Sequence, residues 1–505
     1  MSTSGERTRW HWGRTAVALF SACSLLVVDT SCHVMKITKV DVVQAPSVAH
    51  EQIAGVTTVE GKDVRFDPPG GVIINGGIQA NVNQAPYSLS LSQVQRLWVE
   101  RRGISTVRTI GLTVGIVVAA LGTIAAVVAA TKESCPFVYS WDGERYVFDA
   151  EPYGGAIARG LERDDYGELE HLKASGGEYR LLLTNEVDET QHTNLLELWV
   201  VDHAPGSRVI ADEAGKLYAL RNLEPLQNAR DREGRDITAW LTSTDQRIWE
   251  PDAKPAGDGG VRDELILTFS KPEGASTANL VINAATSLWG SYMVKKMTQL
   301  RGREAPLWLA SLERDKDQVD AIRDWYTREE LYRLKVEVEE PPGWIARGSV
   351  PSGGPFIAED RVIPLDVSRV PGTRLRIRLR PPVGFWALNS FAVSYDAASS
   401  PTPQVVKLRS ARTSSGADVR RSLLAEDSAY YSMPNNYETA ELRFPATPTP
   451  PGMARTVILH SRGWYELHLA AQGEPDTKSL EEITTVPDAA ARFAAREFAN
   501  WHLKP

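Results

Sequence analysis

Cysteine is almost missing from this chain, with three in 505 residues. That number cannot build a disulfide framework, so a hydrophobic core has to hold the fold. An excess of positive charge is missing too. Fifty-six Lys and Arg stand against 64 Asp and Glu, a net charge of −8, and this sets nucleic acid aside as a main partner. No P-loop, GxGxxG turn, HExxH, CxxC or GxSxG elbow occurs. Gly154-Gly155 lacks the spacing and the lysine of a phosphate cradle. The motif-bearing nucleotide, zinc and serine-hydrolase classes are therefore set aside, and no cofactor is implied. Strong compositional bias is also missing. With 42% hydrophobic and 24% charged residues, the chain is neither collagenous, wholly disordered nor a polytopic membrane protein. Its length suggests about three domains.

Two apolar runs stand out against that average. Arg7, Arg9 and Arg14 precede residues 15–28 (TAVALFSACSLLVV), a basic region followed by a short apolar one, as in a secretory leader. The run is too short for a comfortable span. Asp29-Thr30-Ser31-Cys32 follows and resembles a bacterial lipoprotein cleavage site, which implies lipidation at Cys32. Asp29 stands where that pattern wants an aliphatic residue. Cys23 is a rival, with Ser21 and Ala22 before it, Phe20 at the aliphatic position and a very short apolar region. An ordinary cleaved signal peptide or an uncleaved anchor are the plainer alternatives. Cleavage before Cys32 removes three arginines and two acids, Glu6 and Asp29, and takes the net charge to −9.

The second run, residues 110–131 (IGLTVGIVVAALGTIAAVVAAT), has 22 residues and no charge. At about 1.5 Å per residue a helix of that length crosses a hydrocarbon core. Gly111, Gly115 and Gly122 fall on one side and would let another helix approach closely. A buried helix of a soluble domain is the alternative. The flanks conflict with the leader. Arg101, Arg102 and Arg108 precede the run and only Lys132 follows, so the positive-inside rule places residues 33–108 in the cytoplasm, whereas a working leader places them outside. Three resolutions exist. The helix inserts late from outside, as an oligomer or hairpin; the leader is silent and the run is a single N-in, C-out span; or the helix packs on partner proteins. The first two put a large C-terminal domain outside the cytoplasm, the favoured arrangement.

The remainder reads as mainly β with inserted helices: a small N-terminal β-barrel, one hydrophobic helix and a large β-sandwich-type region. Short strands over 36–104, broken by Pro68-Pro69-Gly70-Gly71 and Asn75-Gly76-Gly77, end in Leu91-Ser92-Gln93-Val94 and a basic strand. This layout resembles the SH3-like or Sm-like mini-barrels of bacterial envelope proteins. Domains are expected at 1–31 (leader), 36–104 (barrel), 110–131 (helix), 133–350 (β-rich with helices) and 351–505 (β-rich with a terminal helix). Asp142-Gly143 between aromatic flanks predicts a type I′ hairpin. Strands are expected at 179–184, 195–202, 265–269, 280–283, 334–338, 386–395, 405–408, 442–444, 457–460 and 465–469. The run 374–380 (RLRIRLR) alternates as a half-buried strand. Helices are expected over 284–300 and 315–333 and after Pro487-Asp488. Breaker-rich linkers are expected at 252–260, 399–403 and 445–452. The segments 135–155 and 185–206 resemble uncharacterised bacterial envelope proteins. The second is also similar, at Val201-Asp202-His203-Ala204-Pro205, to a module of large exported repeat proteins. The resemblance implies export and β structure and transfers no catalytic residue.

Two acidic clusters are the candidate sites. Asp149, Glu151, Glu162, Asp164, Asp165, Glu168, Glu170 and His171 surround Pro152-Tyr153-Gly154-Gly155 and read first as a solvated loop. Paired carboxylates there would serve acid–base work or hold Ca²⁺, though nothing fits the twelve-residue calcium loop. Asp188, Glu189 and His192, with Asp202 and His203 beyond the next strand, form the second cluster, a possible binding site. With the two histidines at opposite ends, hydrogen-bonded residues are favoured over a shared metal. Trp199, Trp386 and Trp464 sit in or beside strand patterns and are expected in the core. Together these features predict a membrane-associated bacterial envelope lipoprotein with a non-catalytic binding or assembly role. Its partners would be the membrane and other proteins, or further copies of itself through the hydrophobic helix. Two alternatives remain: an exported glycan-acting hydrolase using acids in 162–170, and a structural subunit of an envelope secretion or motility complex.

Overall fold

The computed structural model describes residues 33–42, 52–67, 70–74, 77–83, 85–104, 136–244, 248–249, 260–396, 399–470 and 472–502. The leader with Cys32, and the apolar run with Gly111, Gly115 and Gly122, lie outside the described residues. Within them the chain is mainly β with inserted helices.

The N-terminal part is two small sheets on one core. In the first, His33–Asp41 pairs with Val94–Ile104, which pairs with Gln52–Thr58, which pairs with Asp63–Arg65; the second is Val72–Ile74, Gly77–Val82 and Ala85–Ser90. Ile53, Val56, Phe66, Ile78, Leu97 and Val99 form their shared core. The Leu91-Ser92-Gln93 step is a 3₁₀ turn closed by a capping box. Ser90 accepts from the Ser92 amide, and the Gln93 side chain accepts from the Ser90 amide. This exchange satisfies orphan turn donors and launches the basic strand at Val94. Gly55 lets Trp98 lie against the backbone, since a Cβ there would stand 2.6 Å from its indole ring.

The rest builds two sandwiches. One packs the sheet of Arg163–Glu168, Ala454–Leu467, Glu189–His203 and Gln404–Lys407 on the sheet of Ser410–Thr413, Thr439–Pro445, Glu178–Thr184, Phe137–Trp141 and Tyr146–Ala150. Leu181, Leu183, Leu198, Val200, Leu442 and Leu459 fill the space between. The other uses Trp386–Ser394, Thr277–Thr286 and Glu359–Asp366 on one side and Leu265–Ser270, Arg374–Leu379, Arg333–Glu340 and Gly343–Pro351 on the other. Its core includes Leu267, Leu280, Ile282, Val336, Ile377 and Phe391. Helices α1 (Leu288–Gln299), α2 (Ala305–Ser311), α3 (Lys316–Glu329), α4 (Thr477–Thr485) and α5 (Ala489–His502) are inserted or terminal. Trp289, Met293, Val319, Ile483 and Ala490 carry them onto the second core.

Several expectations change. The division at 350/351 is not a boundary in the pairing. Leu265–Ser270 pairs with Arg374–Leu379, Thr277–Thr286 with Trp386–Ser394, and Glu189–His203 with Ala454–Leu467. Alternation marks a strand but says nothing of its partner, so a breaker-rich stretch looks like a domain edge when it is a crossover. The hairpin is real but not type I′. Trp141 pairs with Tyr146 across four residues. The Asp142 carboxylate accepts from the amides of Glu144 and Arg145, and in this loop Gly143 alone has positive φ, +104°. An Asx turn thus replaces the two-residue loop. The helix expected from 284 starts at Leu288, because Ala284–Thr286 finish a strand and Ser287 caps the helix by accepting from the Gly290 amide. Residues 457–460 and 465–467 belong to one strand, Ala454–Leu467, which ends two residues before the expected 469, and α4 had no expectation. The alternation of 374–380 holds, with Leu375, Ile377 and Leu379 fully buried while Arg376 and Arg378 pair with Glu339 and Glu337.

Candidate functional site: a charged cleft along the acidic strand

The first acidic cluster is not a loop. Residues 163–168 form an edge strand antiparallel to Ala454–Leu467, with Asp164 opposite Arg462 and Tyr166 opposite His460. On the other flank of that strand Glu197 stands opposite His460. Asp164 stays in the sheet opposite a cation across the ladder, Arg462, whereas Asp165, opposite Ser461, meets Arg163 and Arg361 instead.

His460 is the hub. It is buried, with Nδ1 3.0 Å from Glu197 Oε1 and Nε2 3.0 Å from Asp164 Oδ1. Tyr166 stacks on the imidazole at 4.7 Å and Trp199 lies 4.9 Å away. With an acceptor at both nitrogens, the ring donates twice, as the imidazolium. Burial opposes that charge, but the hydrogen bonds and negative charge of Asp164 and Glu197 outweigh it and push the pKa up to about 9. Burial would raise both carboxyls; their bonds to His460 reverse this and leave each below its usual value.

The exposed edge of this strand lines a cleft of about 400 Å³ that includes Glu162, Arg163, Asp164, Asp165, Arg361 and Arg462. Arg462 donates to Asp164 at 2.6 Å and lies 3.7 Å from Glu162. Tyr430 donates to Glu162 at 3.1 Å. Asp165 accepts from Arg163 and from the Tyr153 amide and lies 3.6 Å from Arg361, which is ion-paired with Glu359. Burial raises the Glu359 and Glu162 carboxyls, Arg361 working against it at the first and Arg462 at the second. Arg163 also donates to the Ser352 carbonyl, tying the strand to the second sandwich.

The other members of the cluster are elsewhere. Asp149 is buried and holds the backbone amide and ring of His171, at 3.0 and 2.8 Å. Glu151 is buried and accepts from the Phe356 amide. Glu168 is pushed up to about 7, by burial first and then by the charge of Glu170. The structure therefore brings together Glu162, Asp164 and Asp165 and separates them from Asp149, Glu151, Glu168, Glu170 and His171.

The second cluster is split along one strand. His192 and His203 both belong to Glu189–His203, eleven residues or roughly 36 Å apart. Strands 179–184 and 195–202 lie in different sheets of one sandwich. His192 stacks on Trp464 at 4.1 Å, and Nδ1 is 2.8 Å from Ser432. Burial, then Arg159, lowers its pKa to about 4, so it is neutral, and Glu466 at 3.6 Å is not bonded to it. His203 contacts Thr456 and the Ala204 carbonyl. Asp188 pairs with His468, Glu189 is buried beside Gln191, and Asp202 takes a two-point grip from Arg455. Among the described residues no group of His, Cys, Asp and Glu could hold a metal ion. Trp386 and Trp464 are buried, while Trp199 is half-buried against His460.

Sequence reasoning missed His460, Arg462 and Arg361. Local pattern gave them no signal as site residues, and their role depends on partners about 200 to 300 positions away along the chain. No family model and no curated protein matches the chain. Among solved structures it is similar to a β-porphyranase of glycoside hydrolase family 86 from the human gut bacterium Bacteroides plebeius. The identity is 8% over 46% of this chain and 35% of that one, with a TM-score of 0.16. A likeness of that degree carries no argument about fold or activity.

Proposed function

We propose that this chain is a membrane-associated bacterial envelope protein with a binding or assembly role and no hydrolytic chemistry in its acidic cleft. The observation that carries the non-catalytic reading is the pairing of the three acids that the structure brings together at this edge, Glu162, Asp164 and Asp165. Asp164 is held by His460 and Arg462, Asp165 by Arg163 and Arg361, and Glu162 by Tyr430 with Arg462 nearby. A glycosidase needs one carboxyl kept protonated and a second aimed at the sugar or its water. Carboxylates committed to guanidinium and imidazolium partners serve neither role well, and they do serve to lock an edge strand. Envelope location and membrane attachment, through a lipid on Cys32, the run 110–131 or both, rest on the leader pattern and that run's composition. Protein partners or a second copy through Gly111, Gly115 and Gly122 belong to the same reading, as does the alternative of a subunit in a larger envelope complex.

The test is stability. Acids placed for catalysis are strained, and neutralising them leaves stability unchanged or raises it. Acids that pair structurally lower it when neutralised. Asp164→Asn and Asp165→Asn are each expected to move the denaturant midpoint down, by roughly 1–3 kcal/mol in stability. A gain in stability for either would support the hydrolase alternative instead.

A further inference from the structure

The N-terminal part carries a surface of unusual composition. Between Asp67 and Arg96 run 28 residues without one Asp, Glu, Lys, Arg or His, where the chain average of 24% would place about seven charges. These residues form the three-stranded sheet Val72–Ile74, Gly77–Val82 and Ala85–Ser90. Alternation sorts its two faces. Ile73, Ile78, Ala80, Val82, Tyr87 and Leu89 turn to the core shared with the first sheet. On the other face Val72, Gln79 and Ser88 stand side by side, with Asn81 opposite Pro86 in the next row. All five are exposed, Val72 by 55%. The attachment of this part to the large region lies elsewhere. There Trp98 is fully buried in one apolar core with Trp240, ring centres 5.0 Å apart.

The composition points to what covers this face. An exposed sheet face normally carries charge, which keeps copies apart. The strand Arg374–Leu379 shows this, with Arg376 and Arg378 paired outward to Glu339 and Glu337. Depletion of charge marks the centre of a protein interface instead. The face has no cation for a nucleic acid or an anionic lipid, and Tyr87, its one aromatic residue, turns inward and offers no platform to a sugar. Contact with a second copy fits best. Around a two-fold axis each residue meets its own kind. Charged side chains repel there, whereas amides and hydroxyls both donate and accept, so they pair with themselves. In a chain of net charge −8, a neutral face is also where two copies repel least. Pro86 lacks a backbone donor and blunts the outer strand against strand addition, which leaves the face as the contact.

We propose that the face of Val72, Gln79, Asn81, Pro86 and Ser88 packs on the same face of a second copy across a two-fold axis. With strands about 4.8 Å apart and about 3.3 Å per residue, the sheet covers roughly 15 by 20 Å, or about 300 Å². A standard interface takes about 800 Å² from each partner, so the dimer is weak and forms where the chain is concentrated. This contact involves neither the leader nor the apolar run, so it stands apart from the membrane reading.

The test is sedimentation velocity of the purified full chain in detergent, from the micromolar range upward. The wild type is expected to form a concentration-dependent dimer. Gln79→Glu and Gln79→Lys, at the centre of the face, are each expected to weaken it about tenfold or more, because like charges then meet across the axis. Both variants should melt at the wild-type temperature, since Gln79 is exposed. Mixed one to one, they are expected to recover association, because opposite charges now meet. A wild type that stays monomeric overturns the inference. Variants that dimerise as tightly as the wild type overturn it too, since the contact then lies elsewhere, the apolar run included. So does a mixture that associates no better than either variant alone.

Discussion

His460 shows how one side chain ties three strands together. It bonds a carboxylate on each neighbouring strand, and two aromatic rings exclude water from it. Removing one partner of a buried charged pair costs 3–5 kcal/mol, and Asp164, at 28% exposed, brings the expectation toward the lower end. His460→Gln is therefore expected to lose about 3 kcal/mol at neutral pH, read from the denaturant midpoint. The pH dependence has a definite sign. The folded pKa of about 9 lies above the unfolded value of about 6.5. This stabilisation is thus complete below about pH 6.5 and is lost as pH rises through about 9, by ~3 kcal/mol in all. Stability of the wild type should fall between pH 7 and pH 9.5, and the fall should be smaller in His460→Gln. An equal fall in both would show that the imidazolium is not held as described.

Among the elements, the strand Arg374–Leu379 was legible at the sequence level because its two faces differ at every step. Ile377 is fully buried, and Arg376 is a third exposed and paired with Glu339. Ile377→Ala is expected to cost about 3 kcal/mol, and Arg376→Ala less than about 1 kcal/mol. Equal losses would mean that the arginine face, and not the apolar one, holds the strand. The start of α1 was misread because AAT at 284–286 favours a helix locally while its neighbours pair as a strand; Ser287 decides the boundary. Ser287→Ala removes the cap and is expected to cost about 1 kcal/mol, visible as faster amide exchange at Gly290. The acidic strand 163–168 was read as a loop for the opposite reason. RDDYGE carries no alternation of apolar residues, and what keeps it in a sheet is charge supplied by Arg462, His460 and Arg361 from far along the chain. Local pattern reveals an element whose own side chains bury it and misses one that is held by distant partners.

Across the molecule, fold class and strand content could be read from the sequence, and the way the strands combine could not. Strands after 350 complete both sandwiches, so a fragment spanning 133–350 lacks Arg374–Leu379, Trp386–Ser394, Thr439–Pro445 and Ala454–Leu467. Expressed alone, that fragment is expected to show no cooperative unfolding transition, whereas 133–505 does; a cooperative 133–350 would restore the domain boundary. The same interlocking extends to residues 33–104, which share a core with the large region. The central claim is attachment to an envelope membrane, as proposed above. Fractionation of the full chain in high salt, with mass spectrometry of the mature N-terminus, tests it most directly. The account predicts recovery with the membranes and a chain beginning at an acylated Cys32. Recovery in the soluble fraction, with Cys32 unmodified, would contradict it.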